Sequence, residues 1–146
     1  MIAVHEISHA IASGSGSGLL VRLTAEDWEY RPDKTPEAEQ VILCQLAGSI
    51  GERVNSLGIE GATALLAEDP SAFFHTECAS PEDLVFVIAD PETCAGLVVK
   101  HKLISKIAMA LNEIGPVRIH AFAACMAGVQ IGDGMRLDGL PVYSVN

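Results

Sequence analysis

Basic residues are scarce in this chain: nine Lys and Arg stand against 19 Asp and Glu over 146 residues, a formal charge of −10. That imbalance repels phosphate backbones and anionic lipid headgroups, so neither nucleic acid nor a membrane is an expected partner. Long apolar runs are missing as well. "DLVFVIAD" (83–90) is about the longest, far short of the roughly 18 residues that a membrane span needs. No charged segment followed by an apolar stretch opens the chain, so no secretory leader is read and the expected location is cytoplasmic. The four cysteines, Cys44, Cys78, Cys94 and Cys125, contain no CxxC pair, which favours buried thiols in a reducing compartment over disulfides.

What is present suffices for one domain, 1–146, with a core that needs no covalent staple. Residues 2–12 place Val4, Ile7 and Ile11 on one helical face and His5 and His9 on another, until "SGSGSG" (13–18) stops the helix. In "LLVRLTAEDWEY" (19–30), Val21 and Leu23 alternate with Arg22 and Thr24, the period of a half-buried strand or hairpin, with Trp28 at its rim. Thr35-Pro36 starts a helix over 36–54, in which Ile42, Leu43, Leu46, Ala47, Ile50 and Val54 recur at helical spacing. "GATALLAEDP" (61–70) reads as a short helix, while "SAFFHTECA" (71–79) fits helix or loop. Ser80-Pro81-Glu82-Asp83 opens another helix, and Asp90-Pro91 restarts it as a long one reaching Asn112. Its apolar stripe is Leu97, Ile104, Ala108 and Leu111, and Gly115-Pro116 ends it. One more helix (117–131) and a turn-rich tail (137–145) complete a fold that is mainly α with a small β element.

The chemistry sits in His5-Glu6-Ile7-Ser8-His9, an HExxH sequence. Residues four apart stack on one helical face with Cβ atoms about 5 to 6 Å apart, so two imidazoles can share one Zn2+ ion. Glu6, one residue on, can reach a zinc-bound water as general base without binding the metal. The competing reading is a plain histidine pair on a helix surface. A third protein ligand is still needed for a catalytic zinc.

"AVHEISHAIA" resembles the "HEAGHA" signature of the FtsH-type zinc metalloproteases. "VRLT" lies where that family has a strand, "LAGSIGERV" resembles its "LGGRAAEEL", and "ASPEDL" resembles its "GASNDL". "KHKLISKIAMALNEIG" is similar to a later helix, so the likeness spans about residues 3–112. It implies a helical bundle like the FtsH protease domain and a zinc metalloendopeptidase with metal ligands His5, His9 and Asp83 and base Glu6. The substrate it implies is peptide or unfolded protein. The family's "TTGA" is replaced by "HTECAS", and the sequence has no Gly-rich phosphate-binding motif, so no ATP-driven unfolding is expected of it. Assembly as a homo-oligomer or with a separate ATPase is what the resemblance leaves room for. Asp83 has a rival role, since Ser80 to Asp83 also fits a capping box. Substrate is expected as an extended strand along 19–25.

A second resemblance, to ImmA/IrrE-type regulatory metallopeptidases through "TPEAEQVILCQLAG", would make Glu37 or Glu39 the third ligand. A third reading is a non-catalytic binding module that keeps the metal. His101 and His120 read as ordinary buried or surface histidines, and His75 and Glu77 as reserve ligands only. Glu52 reads as a salt-bridge partner, with a hydrogen bond to a zinc histidine as the alternative.

Overall fold

The first helix, α1 (Ile2–Ala12), is not the half-exposed helix that its pattern predicts: every residue from Ala3 to Ala12 is buried. A helix covered on all sides must be apolar or must have its polar groups partnered within the protein. This computed structural model describes residues 1–142 and contains seven helices and three strands among them, a mainly α fold with a small β element. No helix among the described residues is long and apolar enough to cross a membrane.

Helix α2 (Ala38–Glu68) lies along α1. Its first half buries Leu43, Leu46, Ala47 and Ile50, as the helical spacing over 36–54 requires. It does not stop at Val54; it bends at Gly58, whose φ of 74° only glycine adopts without strain, and continues with Ala62 and Leu66 buried. Helix α3 (Pro70–Phe74) is capped by the Asp69 side chain, which accepts from the Ala72 N–H at 3.1 Å. It buries Phe73 and Phe74 edge to face, each burial contributing about 1.5–3 kcal/mol. The remainder of "SAFFHTECA" is loop.

Two helical expectations are corrected. Residues Pro81–Leu84 form a turn, so α4 starts at Val85 and covers only Val85–Ala89. The long helix to Asn112 is two helices, α5 (Pro91–Lys100) and α6 (Leu103–Ile114). Between them Lys102 takes the left-handed conformation (φ 53°, ψ 40°), which turns the chain and resets the helical phase. The deepest side of α6 is therefore Leu103, Ile107 and Ala110, with Ile114 below them, rather than the Ala108 and Leu111 stripe. Gly115 and Pro116 do separate α6 from α7 (Pro116–Ala127).

The sheet has three antiparallel strands in the order β2 (Trp28–Pro32), β1 (Gly18–Arg22), β3 (Gly134–Leu137). β3 lies just before and within the segment expected to be a tail. Gly18, Leu20 and Val21 are the buried residues of β1, whereas Leu23 lies past its end and is exposed. Trp28 is half-buried and packs on the core, under the Arg22 guanidinium. Because β1 is paired on both sides from Gly18 to Val21, the strand part of the 19–25 segment has no free edge for a substrate strand. The free edges belong to β2 and β3. All four cysteines are free thiols, but only Cys94 is buried and Cys125 is exposed.

Candidate metal centre

Two glycines let α2 approach α1 closely enough to enclose the histidines. A Cβ on Gly48 would lie 2.5 Å from His5 Nε2 and 2.6 Å from His9 Nε2, and one on Gly51 would overlap Ser8 Oγ. The ring nitrogens therefore occupy the space that any larger residue at position 48 would take. Ser8, buried between them, donates to the Val4 carbonyl and needs no further partner.

His5 and His9 meet edge to face, with their Nε2 atoms 3.0 Å apart. Asp83 arrives from the turn before α4, with Oδ2 2.9 Å from His5 Nε2 and Oδ1 3.4 Å from His9 Nε2. Each imidazole is also held from behind. His5 Nδ1 donates to Glu52 Oε2 at 2.7 Å, and His9 Nδ1 donates to the Cys44 carbonyl at 2.5 Å. With Nδ1 as the donor, each Nε2 points at Asp83, to which it donates when protonated and beside which it would offer a lone pair once that proton is displaced.

The two proposed roles of Asp83 coexist. The Ser80 N–H donates to Asp83 Oδ2 at 3.0 Å, and the Asp83 N–H donates to Ser80 Oγ at 3.2 Å. This reciprocal pair has the bonding of a capping box, yet a turn rather than a helix follows it directly. Its effect is to fix the carboxylate against the two rings.

Charge is arranged in the same sense. Burial raises the cost of ionising Asp83, but hydrogen bonds to His5 and His9 outweigh it and hold the carboxyl far below the usual range. Burial likewise opposes a charged His5, and the bonds to Asp83 and Glu52 outweigh it, so its pKa is raised. His9 is raised well above its ordinary value for the same reason, chiefly by Asp83. The pocket attracts positive charge. Burial pushes Glu6 upward against the pull of the two histidines. It also pushes the Cys78 thiol up to about 12, with help from Glu52, so Cys78 stays protonated and supplies no thiolate.

The donor set fits a divalent zinc ion. Two imidazole nitrogens and one carboxylate, 2.9 to 3.4 Å from one another, match the roughly 3.3 Å between tetrahedral ligands bound at about 2.0–2.1 Å. Glu6 stands beside them, since His5, Glu6 and His9 each offer a ligand atom within 4.8 Å of the others. Glu6, His9 and Asp83 also face a cavity of about 240 Å³, walled on its far side by Trp28 and Tyr30 of β2. A larger apolar cavity of about 570 Å³, between α2, α3, α5 and α6, contains none of these donors.

The structure thus brings together His5, Glu6, His9 and Asp83 from residues 78 positions apart. It does not bring Glu37 or Glu39 to them: Glu37 is exposed at the start of α2, and Glu39 faces His101 Nε2 at 3.1 Å and Lys100 Nζ at 3.6 Å. His75 turns its Nδ1 to the Ser71 carbonyl, and His120 is exposed. Glu52 pairs with His5 rather than with a Lys or Arg, so the ion pair and the hydrogen bond to a histidine expected of it are one contact. It receives His5, the Thr76 hydroxyl and, at 3.2 Å, the Cys78 N–H, which ties the 75–79 loop to the back of the site. The Gly48-x-x-Gly51-Glu52 spacing was its available signal, because close helix crossing and the carboxylate fall on adjacent turns. The Cys44 carbonyl carried no signal, since any residue supplies one.

No protein-family model, curated protein or solved structure matches the chain. The functional reading therefore rests on the geometry of these residues.

Proposed function

We propose that the chain is a zinc-dependent metallopeptidase of the HExxH type acting on flexible or unfolded polypeptide. The observation that carries this reading is the convergence of His5 Nε2, His9 Nε2 and Asp83 at 2.9 to 3.4 Å, with both Nδ1 atoms anchored from behind. His5, His9 and Asp83 would hold the ion. A zinc ion there supplies a polarised carbonyl and a water whose pKa falls to about 7.

The remaining work belongs to the chain's own side chains. Glu6 faces the cavity beside the donors, where its carboxylate takes a proton from water as the peptide carbonyl is attacked and returns it to the leaving amine. Asp83 is kept anionic and His5 is kept in one tautomer by Glu52. Trp28 and Tyr30 of β2 line the same cavity and β2 has a free edge, which supports a substrate strand along β2 rather than along β1.

The reading is tested by turnover of unfolded casein. Cleavage is expected in the purified protein, lost on treatment with a zinc chelator and restored by adding about one zinc per chain. Casein left intact at every zinc level favours the binding-module reading instead. Replacing Glu52 by Ala should weaken zinc binding by about 10- to 100-fold, because His5 loses the acceptor that orients it. Chelator competition measures this, and an unchanged affinity would remove Glu52 from the site.

A further inference from the structure

We infer that the cleft selects a basic segment, one with Lys or Arg side chains close to the bond to be cut. The inference rests on the metallopeptidase reading and adds the substrate class. The cavity at the donors, about 240 Å³, shares Trp28 and Ser80 with a second of about 610 Å³, so the two form neighbouring compartments separated by those residues.

Carboxylates line both compartments. Glu29 and Glu82 lie on the first, beyond the groups that belong to the metal centre, and Glu26, Asp27 and Glu77 lie on the second. Glu26, Asp27, Glu77 and Glu82 form no ion pair among the described residues. Only Glu29 is paired, with Arg31 at 2.9 Å. Apart from His9 of the donor set, the cation lining these compartments is Arg22, whose two terminal nitrogens donate to the Val129 and Ala25 carbonyls. Carboxylates still outnumber it on those walls, so the field there stays net negative, and a cleft concentrates such a field on whatever enters. An acidic peptide meets repulsion on both sides of Trp28, whereas a basic one meets a carboxylate in each compartment. The chain's net charge of −10 adds to the same preference at long range.

Two fluorescent peptides, identical except for Lys or Glu flanking a central Ala-Leu bond, test this. Binding is read by anisotropy on the zinc-loaded Glu6→Gln protein, and cleavage is read on the parent. The Lys peptide is expected to bind at least about fivefold more tightly, the worth of one exposed charge pair at about 4 Å. The gap should close near 1 M salt, where screening acts within about 3 Å. In a Glu77→Gln/Glu82→Gln protein the ratio of the two affinities should move toward one; a merely structural defect would weaken both peptides alike and keep the ratio. Equal affinities in the parent background, or no binding of either peptide, overturn the inference. Equal cleavage of both peptides also overturns it and leaves the metallopeptidase reading standing. Tighter binding of the Lys peptide with neither peptide cut supports the basic preference and overturns the peptidase reading.

Discussion

Replacing Asp83 by Ala should reduce zinc affinity by far more than the roughly 10- to 100-fold typical of residues that merely orient a ligand. The carboxylate stands 2.9 Å from one ring nitrogen and 3.4 Å from the other, so its loss leaves the two imidazoles as the remaining ligands of the proposed set. The same substitution also removes the acceptor of the Ser80 N–H, which by itself costs about 0.5–2 kcal/mol of stability. Asp83→Asn separates the two effects. Its amide oxygen can still accept from Ser80, so the metal-free protein should unfold closer to the parent's temperature. Without the negative charge, however, its zinc affinity should fall with that of Asp83→Ala. Zinc titration and thermal unfolding of both variants provide the check; parental zinc affinity in Asp83→Asn would reduce Asp83 to a turn-fixing residue.

Glu6→Gln should abolish casein cleavage while zinc content and fold persist. The amide is nearly isosteric, and Glu6 is not needed to complete the donor set formed by His5, His9 and Asp83. What the variant loses is the ability to take and return a proton at the cavity wall, a contribution of about 10²- to 10⁴-fold for a positioned acid–base group. A variant that retains its zinc and cleaves at the parental rate would mean that proton transfer passes through another group.

The local parts of this fold were legible because local chemistry decides them. His5 and His9 four apart, the Gly115-Pro116 boundary and the apolar periodicity of 42–54 each follow from backbone geometry within a turn or two. The errors lie where a distant segment decides. "GMRL" is too short for its alternation of Met135 and Leu137 with Arg136 to announce a strand, and β3 forms where β1 pairs with it, Gly18 opposite Leu137. The break at Lys102 occurs at a residue type that carries no turn signal, so no reading of spacing would stop the helix there. At the site, the HExxH residues and Asp83 were nameable from spacing and resemblance. The role of Glu52 depended on how close α2 could come to α1, which Gly48 and Gly51 determine. The burial of α1 from Ala3 to Ala12 was not legible because its second face is polar. Those polar groups are the ones that the rest of the chain folds around.

The zinc-edge X-ray absorption spectrum of freshly purified protein tests the central claim most directly, because it reads the ligand types around the metal without reference to activity. Two imidazole rings and oxygen ligands at about 2.0–2.1 Å are the result predicted for His5, His9 and Asp83. A sulfur shell at about 2.3 Å, or protein that binds no zinc at all, would contradict it.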